Sequence, residues 1–384
     1  MESQAVVIAA VGALGIGAQW IAWRTGWPAI VLMLAAGFIA GPITGLIDPE
    51  AAFGDLLDPM ISVGVALILF EGGLSLDLRE LRHSGSAVWR LATIGVLIGW
   101  ALGALAGFYI AGLVWPVAVL FGGILIVTGP TVVVPLLRQA NIQTRPNSIL
   151  KWEGIVNDPT GALCAVIAYE YFLRVSEVPA SSLLDVVPPL ILAAIIAGLV
   201  GYAAARLVAY LFPRGAIPEY LKVPVLFTAV IGVFVLTNQI EHEAGLVAVT
   251  VMGITLANRD VSSIRSIHPF KENVAVLLVS GIFILLASSL RWEELTYLQS
   301  SWRPWLFLLV LLFLVRPVTV LVSLLGSDVP CNERLFVAWI APRGIVAVAI
   351  ASIFGTALME QGVEDGEKIV AFTFAVVAAN TLRH

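Results

Sequence analysis

One apolar run of the chain, residues 148–173, contains the polar stretch Lys151-Trp152-Glu153-Gly154-Ile155-Val156-Asn157-Asp158-Pro159-Thr160-Gly161. Carboxylates are costly in such a run, because a charge at the centre of a membrane helix costs about 2.5–3.5 kcal/mol. Glu153 and Asp158 are five residues apart, so on a helix they project about 140° from one another. We therefore expect them to have different partners, and the spacing predicts two roles.

Asn157 and Pro159 flank Asp158 and favour an ion site. Asn157 can donate and accept hydrogen bonds without adding charge. Pro159 lacks a backbone N–H and frees a carbonyl one turn earlier, near Ile155. A carboxylate beside a free carbonyl suits a hard monovalent cation, which prefers oxygen ligands. The alternative is a proline kink with a capped carboxylate.

Composition places this stretch in a membrane. Of 384 residues, 59% are hydrophobic and 12% charged, about half of the roughly 25% charged share of soluble domains. The mean hydropathy is +0.97. These values exclude a soluble globular enzyme and a disordered chain, and the net charge of −5 gives no basic surface for nucleic acid. Cys164 and Cys331 lack the spacing of a disulfide framework or metal site. The sequence contains no loop of the kind that cradles a phosphate, so it implies no organic cofactor.

Thirteen apolar runs approach the roughly 20 residues that a membrane helix needs, and the ninth is short. They are approximately 4–23, 28–47, 57–75, 85–112, 114–138, 148–173, 185–212, 220–238, 244–257, 272–290, 304–325, 332–358 and 367–383. The sequence therefore predicts an all-α polytopic membrane protein, with about 13 transmembrane helices forming a single transmembrane domain over 1–384.

The basic residues predict its orientation. With the N-terminus outside, 15 of the 21 Lys and Arg residues fall on the cytoplasmic side. The outer side receives Arg174, Arg291, Arg303 and Lys368, while Arg316 and Arg343 stay inside helices. Because cytoplasmic loops carry an excess of Lys and Arg, we expect an external N-terminus and a cytoplasmic C-terminus. An odd number of spans also places the two termini on opposite sides of the membrane, which agrees with this orientation.

Three further charges, Glu71, Arg316 and Arg343, lie within apolar runs. Ionisable groups at membrane depth are functional hypotheses by default. For any one of them the alternative is a structural ion pair that holds two helices together. Together with Glu153 and Asp158 they make three acids and two bases at membrane depth. So many buried charges favour a functional role over a purely structural one.

Two predicted helices are interrupted by glycine and proline, at 127–131, which contains Gly129 and Pro130, and at 341–344. Such a pair in corresponding halves of a chain points to a transporter site between inverted repeats. We expect two inverted six-helix repeats, 1–173 and 220–384, joined by a linker helix at 185–212, with unwound and crossed fifth and twelfth helices. The alternative is two simple kinks.

These residues resemble the monovalent cation–proton antiporters of the NhaP/NHE type. The matching elements are the Glu-x-x-x-Asn-Asp run, the broken fifth helix, Arg316-Pro317 and Pro342-Arg343-Gly344. The span count and orientation agree, so the resemblance covers essentially the whole chain. The Asn-Asp pair inside a helix is fairly specific, and the Thr-Gly-Pro run alone is not.

The resemblance implies roles for individual residues. Asp158 would hold a proton or the cation in turn, Asn157 would be its neutral neighbour, and Thr128 would offer cation ligands. Glu153 would pair with Arg316 to brace two helices. Glu71 would line the ion path, a looser match, and the unwound helices would depend on Gly129, Pro130 and Arg343.

The chain also departs from the family pattern. Family members often have an aspartate where Gly129 stands, and a small hydroxyl residue where Gly154 stands. Both differences leave the cation selectivity open. Relatives often continue into a cytoplasmic regulatory tail, so we expect such a tail to be missing after His384.

The sequence and the resemblance together predict an antiporter that exchanges Na⁺ or Li⁺ for H⁺ by alternating access. One cation would be exchanged for one proton on Asp158, which makes transport electroneutral. A K⁺/H⁺ antiporter, a cation channel and a non-transporting ion sensor remain as alternatives. The resemblance further implies a homodimer in the cell inner membrane, with no cofactor besides the transported ions.

Overall fold

The computed structural model describes residues 2–129, 144–177, 182–259, 268–290, 301–340, 343–363 and 365–382. All regular elements in these ranges are helical. The first half contains α1 Glu2–Thr25, α2 Ala29–Phe38, α3 Pro49–Phe53, α4 Leu57–Leu74, α5 Leu81–Arg90, α6 Val96–Ala106, α7 Trp115–Ile124 and α8 Thr144–Glu177. The second half contains α9 Leu183–Leu211, α10 Glu219–Asn238, α11 Ala244–Ala257, α12 His268–Ser288, α13 Arg303–Val310, α14 Arg316–Ser323, α15 Cys331–Trp339, α16 Ile345–Glu360 and α17 Gly366–Leu382.

The prediction of an all-helical, multi-pass membrane chain is confirmed. Six described helical stretches are long and apolar enough to cross a membrane, and six shorter apolar helices accompany them. The 34-residue α8 is not among the six, because its polar stretch around Asp158 lowers its hydropathy. The helix that the sequence analysis identifies as functional is therefore the long helix that departs most from a plain membrane span.

Several helix boundaries differ from the predicted runs. Helix α8 extends beyond 148–173 at both ends, and it continues through Pro159 without a break. The short α3 is not predicted as a separate element. It begins at Pro49, and the carboxylate of Asp48 accepts a hydrogen bond of 2.9 Å from the backbone N–H of Ala51. Asp, Asn, Ser and Thr are common at this position because they satisfy free N–H groups of the first turn.

Two interruptions lie where glycine and proline predict them. After α7 the backbone of Val127–Gly129 is not helical, and between α15 and α16 the residues Ile340, Arg343 and Gly344 are not helical. Pro130, Ala341 and Pro342 lie outside the described residues. Non-helical backbone at membrane depth is tolerated where it is buried in protein or lines a cavity, and Thr128 and Gly129 are both buried.

Glycines bring the interrupted segment against α8. A Cβ atom on Gly161 would lie 2.7 Å from the backbone nitrogen of Val127, and one on Gly123 would lie 2.9 Å from that of Ala165. The two backbones can approach this closely only without side chains. The contact places Val127, which precedes Thr128, against Gly161, which follows Asp158 by about one helical turn.

Candidate functional site

Helix α8 carries Glu153, Asn157 and Asp158 into the interior of the molecule. All three side chains are buried, and Asp158 has no exposed surface. The helix packs against α5, α7, α9, α11, α15 and α16. Because these helices enclose α8, its polar residues face protein on most sides, which is how intramembrane charges are usually placed.

Glu153 forms a bidentate ion pair with Arg316 at the start of α14. The Nη1–Oε1 distance is 2.5 Å and the Nη2–Oε2 distance is 2.9 Å, and both side chains are buried. The Arg316 guanidinium also donates to the carbonyl oxygens of Ile340 at 2.9 and 3.2 Å and of Val337 at 3.3 Å. The pair therefore joins α8 and α14 to the C-terminal end of α15, whose last carbonyls lack partners within the helix.

Thr128 links the interrupted end of α7 to the same network. Its hydroxyl donates to the backbone carbonyl of Glu153 at 3.3 Å. The hydroxyl oxygen keeps lone pairs that can accept a cation or a water molecule. Thr128 is therefore bound to α8 at Glu153, which lies one helical turn before Asn157.

These side chains surround a cavity between α6 and the π-helical turn Leu91–Gly95 before it, the segment after α7, α8, and α14. The volume of this cavity, measured as the space that the centre of a water molecule can reach, is about 40 Å³. Since one water occupies at least about 10–15 Å³ by this measure, a few waters or a partly hydrated small ion would fit. Its polar lining consists of Thr128, Glu153, Asn157, Arg316, Thr319 and Arg343.

Asp158 lies beside this cavity but does not line it in this conformation. Neither of its carboxylate oxygens has a hydrogen-bond partner, and the Oδ1 atom of Asn157 also lacks one. A buried polar group without a partner is costly and calls for an explanation such as an absent ion or proton. The two neighbouring residues together have three buried oxygen atoms without partners, and of the two residues Asn157 lines the cavity.

Arg343 is the second buried charge in this region without a partner. It lies between α15 and α16 and lines the cavity, yet its Nε and Nη1 atoms have no hydrogen-bond partner. The nearby Arg316 repels it and Glu153 attracts it. Because Glu153 is already paired with Arg316, it leaves Arg343 without a dedicated counterion.

Not every predicted site residue lies at this cavity. Glu71 lines a different and mostly apolar cavity between α4, α10 and α12, together with Phe70, Leu226 and Leu278. Gly129 is buried at the end of the described segment after α7, and Pro130 falls outside the described residues. The structure thus groups Thr128, Glu153, Asn157, Arg316 and Arg343 around one space, with Asp158 behind them and Glu71 elsewhere.

Two participants are absent from the sequence analysis. Thr319 lines the cavity one turn after Arg316, and its hydroxyl bonds to the carbonyl of Val315 at 2.8 Å. The spacing of three residues on one helix face could have indicated it. The carbonyl of Ile340, which accepts two hydrogen bonds from Arg316, carries no sequence signal because every residue has such a group.

The fold and the site define a multi-pass helical membrane protein with buried charges gathered between interrupted helices. The sequence profile of the family described as "Sodium/hydrogen exchanger, transmembrane" matches residues 6–382. The chain belongs to this family.

Curated relatives agree over most of the chain. The chain is 29% identical over 362 residues to the K(+)/H(+) antiporter NhaP of Alkalimonas amylolytica, a match that covers 91% of this chain and 61% of the relative. It is 26% identical over 345 residues to Na(+)/H(+) antiporter 1 of Methanocaldococcus jannaschii, covering 87% and 79% respectively. The chain thus spans less than two thirds of the first of these relatives.

A solved structure has the same fold. The sodium proton antiporter MjNhaP1 from Methanocaldococcus jannaschii at pH 8 superposes with a TM-score of 0.86. The match covers 98% of this chain and 96% of that one, at 24% sequence identity. At this identity the likeness establishes the fold.

Proposed function

We propose that this protein exchanges Na⁺ or Li⁺ for H⁺ across a membrane by alternating access. Asp158 binds the proton and the cation in turn, so that each ion occupies the site only after the other has left. Family membership and the names of the relatives support an exchanger of monovalent cations for protons. The assignment of the site rests on the residues around Asp158.

One observation carries the proposal: Asp158 is wholly buried and both of its carboxylate oxygens are without partners. Burial disfavours the ionised form of a carboxylic acid unless a proton or a cation neutralises it. Either ligand would satisfy those oxygens, and a movement of the site with neither bound would take a bare anion through the membrane. That cost couples the two fluxes.

The surrounding residues have complementary roles in this proposal. Thr128 and Asn157 supply neutral oxygen ligands for the cation, as Na⁺ and Li⁺ require. Glu153 braces α8 against α14 through its pair with Arg316 and takes no part in ion binding. Glu71, in its separate cavity, lies on the route by which ions reach the site, and Gly129, Pro130 and Arg343 support the unwound segments.

Potassium is the second candidate for the cation. The relative from Alkalimonas amylolytica is named a K(+)/H(+) antiporter, and the chain has Gly154 next to Glu153, which removes one possible ligand. With few side-chain oxygens at the site, the selectivity depends on backbone carbonyls and the size of the space. The same vesicle assay decides between the cations.

The proposed architecture follows from the inverted-repeat interpretation. Thirteen membrane helices form two six-helix repeats, 1–173 and 220–384, around the linker helix at 185–212. The N-terminus lies outside and the C-terminus in the cytoplasm of a cell inner membrane, where exchange would serve pH homeostasis. Two copies form a homodimer.

The test is proton flux in proteoliposomes that contain a pH-sensitive dye, with Na⁺, Li⁺ and K⁺ supplied in turn. The wild-type protein should dissipate an imposed pH gradient with at least one cation. Asp158→Asn should reduce this flux to that of protein-free vesicles, because the amide can neither release a proton nor neutralise a cation. The exposed Asp55 offers a matched control, and Asp55→Asn should retain the wild-type rate.

Two results would overturn the proposal. Exchange that persists in Asp158→Asn, in protein with an unchanged unfolding temperature, would place the site elsewhere. A continuous cation current without proton counterflow in the wild-type protein would indicate the channel alternative.

A further inference from the structure

The break between α15 and α16 concentrates positive charge. Arg343 lies two residues before Ile345, the first residue of the 16-residue α16. The N-terminal end of a helix carries about half a positive charge and several N–H groups without helical partners. The residue at the capping position is Gly344, which has no side chain to accept from them, and no side-chain cap is present.

Acidic residues do not balance this charge within the described structure. Among the cavity-lining residues, Glu153 is the sole acid, and its carboxylate is bonded on both oxygens to Arg316. Residues 130–143, which follow Gly129 in the sequence, contain no Asp or Glu. Since Glu153 and Arg316 cancel, Arg343 is left as the one charge among the described lining residues without a partner, and the unpartnered Asp158 carboxylate does not line the cavity.

The Arg343 side chain is buried and has hydrogen-bond donors without acceptors. It is 8% exposed, and its Nε and Nη1 atoms are enclosed but make no hydrogen bond. A guanidinium without an acceptor in a buried site has lost its hydration with no replacement. Arg343 lines the cavity of about 40 Å³ described above. A cavity of this volume suits a small ion and excludes a larger organic acid.

We propose that this cavity binds a small monovalent anion of chloride size, held by the Arg343 guanidinium close to the N-terminal end of α16. Arginine and helix N-termini are both common anion ligands. The anion supplies the negative charge that no unpaired acid provides among the described residues lining the cavity. Arg343 lines the cavity and Asp158 does not, so the anion and the Asp158 carboxylate are separate sites.

The experiment is a chloride titration of the purified full chain, read as its unfolding temperature. Chloride replaces gluconate at constant sodium concentration and ionic strength, so that general salt effects stay fixed. A ligand that binds only the folded state raises the unfolding temperature saturably. We expect saturable stabilisation by chloride and by bromide, and none by gluconate, which is too large for the cavity.

Variants locate the site. Arg343→Gln should raise the half-saturating chloride concentration by about tenfold to hundredfold, the range for losing a hydrogen bond to a charged group. Arg343→Lys keeps the charge and should give a smaller increase. Arg206 is exposed on α9, so Arg206→Gln should titrate like the wild-type protein. Crystals of the wild-type protein soaked in bromide should show its anomalous signal beside Arg343, whether or not Arg343→Gln folds.

A flat chloride titration of the wild-type protein would overturn the proposal and would favour Asp158 as the counterion of Arg343 in solution. So would an unchanged half-saturating concentration in Arg343→Gln, or a bromide position outside the cavity. None of these measurements requires ion transport. The anion site can therefore fail while exchange through Asp158 stands, and the reverse also holds.

Discussion

Two carboxylates on one helix have opposite surroundings in this protein. Glu153 receives two hydrogen bonds from Arg316, whereas Asp158, little more than one turn away, receives none. The angular separation on the helix produces this difference, because it turns Glu153 towards α14 and Asp158 away from it. A paired acid is suited to structure and an unpartnered one to reversible ligand binding.

At the residue scale, we expect Glu153→Gln to destabilise the protein by about 3–5 kcal/mol. Removing one partner of a buried ion pair leaves the other charge uncompensated, here on Arg316. Thermal or denaturant unfolding in detergent measures the change. The double variant Glu153→Gln with Arg316→Met should recover a large part of the loss, because no unpaired charge remains.

A surface pair provides the control for this prediction. The Nζ atom of Lys151 lies 3.5 Å from the Oε1 atom of Glu80, and both side chains are partly exposed. Lys151→Met should therefore cost at most about 1 kcal/mol. An equal loss of stability in Lys151→Met and Glu153→Gln would contradict a special role for the buried pair.

At the element scale, the sequence predicts where helices lie better than how they are rotated. The run 244–257 coincides with α11, since charged residues, Glu243 before it and Arg259 after it, mark both of its ends. Glu71 is different. Its helix, α4, is apolar around its whole circumference, so hydropathy does not indicate which neighbour Glu71 faces, and the structure places it towards α10 and α12.

The site residues show the same division. The helix breaks at Gly129 and Gly344 are visible in the sequence because glycine and proline disfavour helix locally. The acceptors of Arg316 on α15 are backbone carbonyls, and the missing partners of Arg343 follow from the packing of several helices. Neither feature has a side-chain signature, so the sequence could predict the participants and could not predict their bonding.

The contact between α8 and the segment after α7 gives a prediction at this scale. We expect Gly161→Ala to destabilise the protein by about 1–3 kcal/mol, the usual cost of overpacking, because the added Cβ would lie 2.7 Å from backbone of Val127. The matched change is Gly232→Ala on α10, where a Cβ meets nothing within 4 Å. There, replacing a helical glycine should stabilise by about 0.5–1 kcal/mol. Unfolding measurements compare both, and equal effects would refute the close contact.

At the scale of the whole molecule, the buried charges limit how many protons a transport cycle can carry. Glu153 is held by Arg316, and Glu71 lies in another cavity, so in the proposed cycle Asp158, which is buried without a partner, is the one acid near the polar cavity among the described residues that exchanges ligands. An exchanger with one such acid moves one proton for one cation and no net charge. A second titrating acid would instead make the cycle move charge.

The equilibrium of exchange distinguishes these cases, because moving one charge through 100 mV is worth about 2.3 kcal/mol, or about fifty-fold in a concentration ratio. The measurement is the cation gradient at which net proton flux reverses, in proteoliposomes held at zero and at about −100 mV. A one-for-one cycle through Asp158 should reverse at the same gradient at both potentials. Vesicles with an electroneutral sodium–proton ionophore provide the control. A fifty-fold displacement with the protein alone would require a second proton carrier, and Glu71 would be the first residue to substitute.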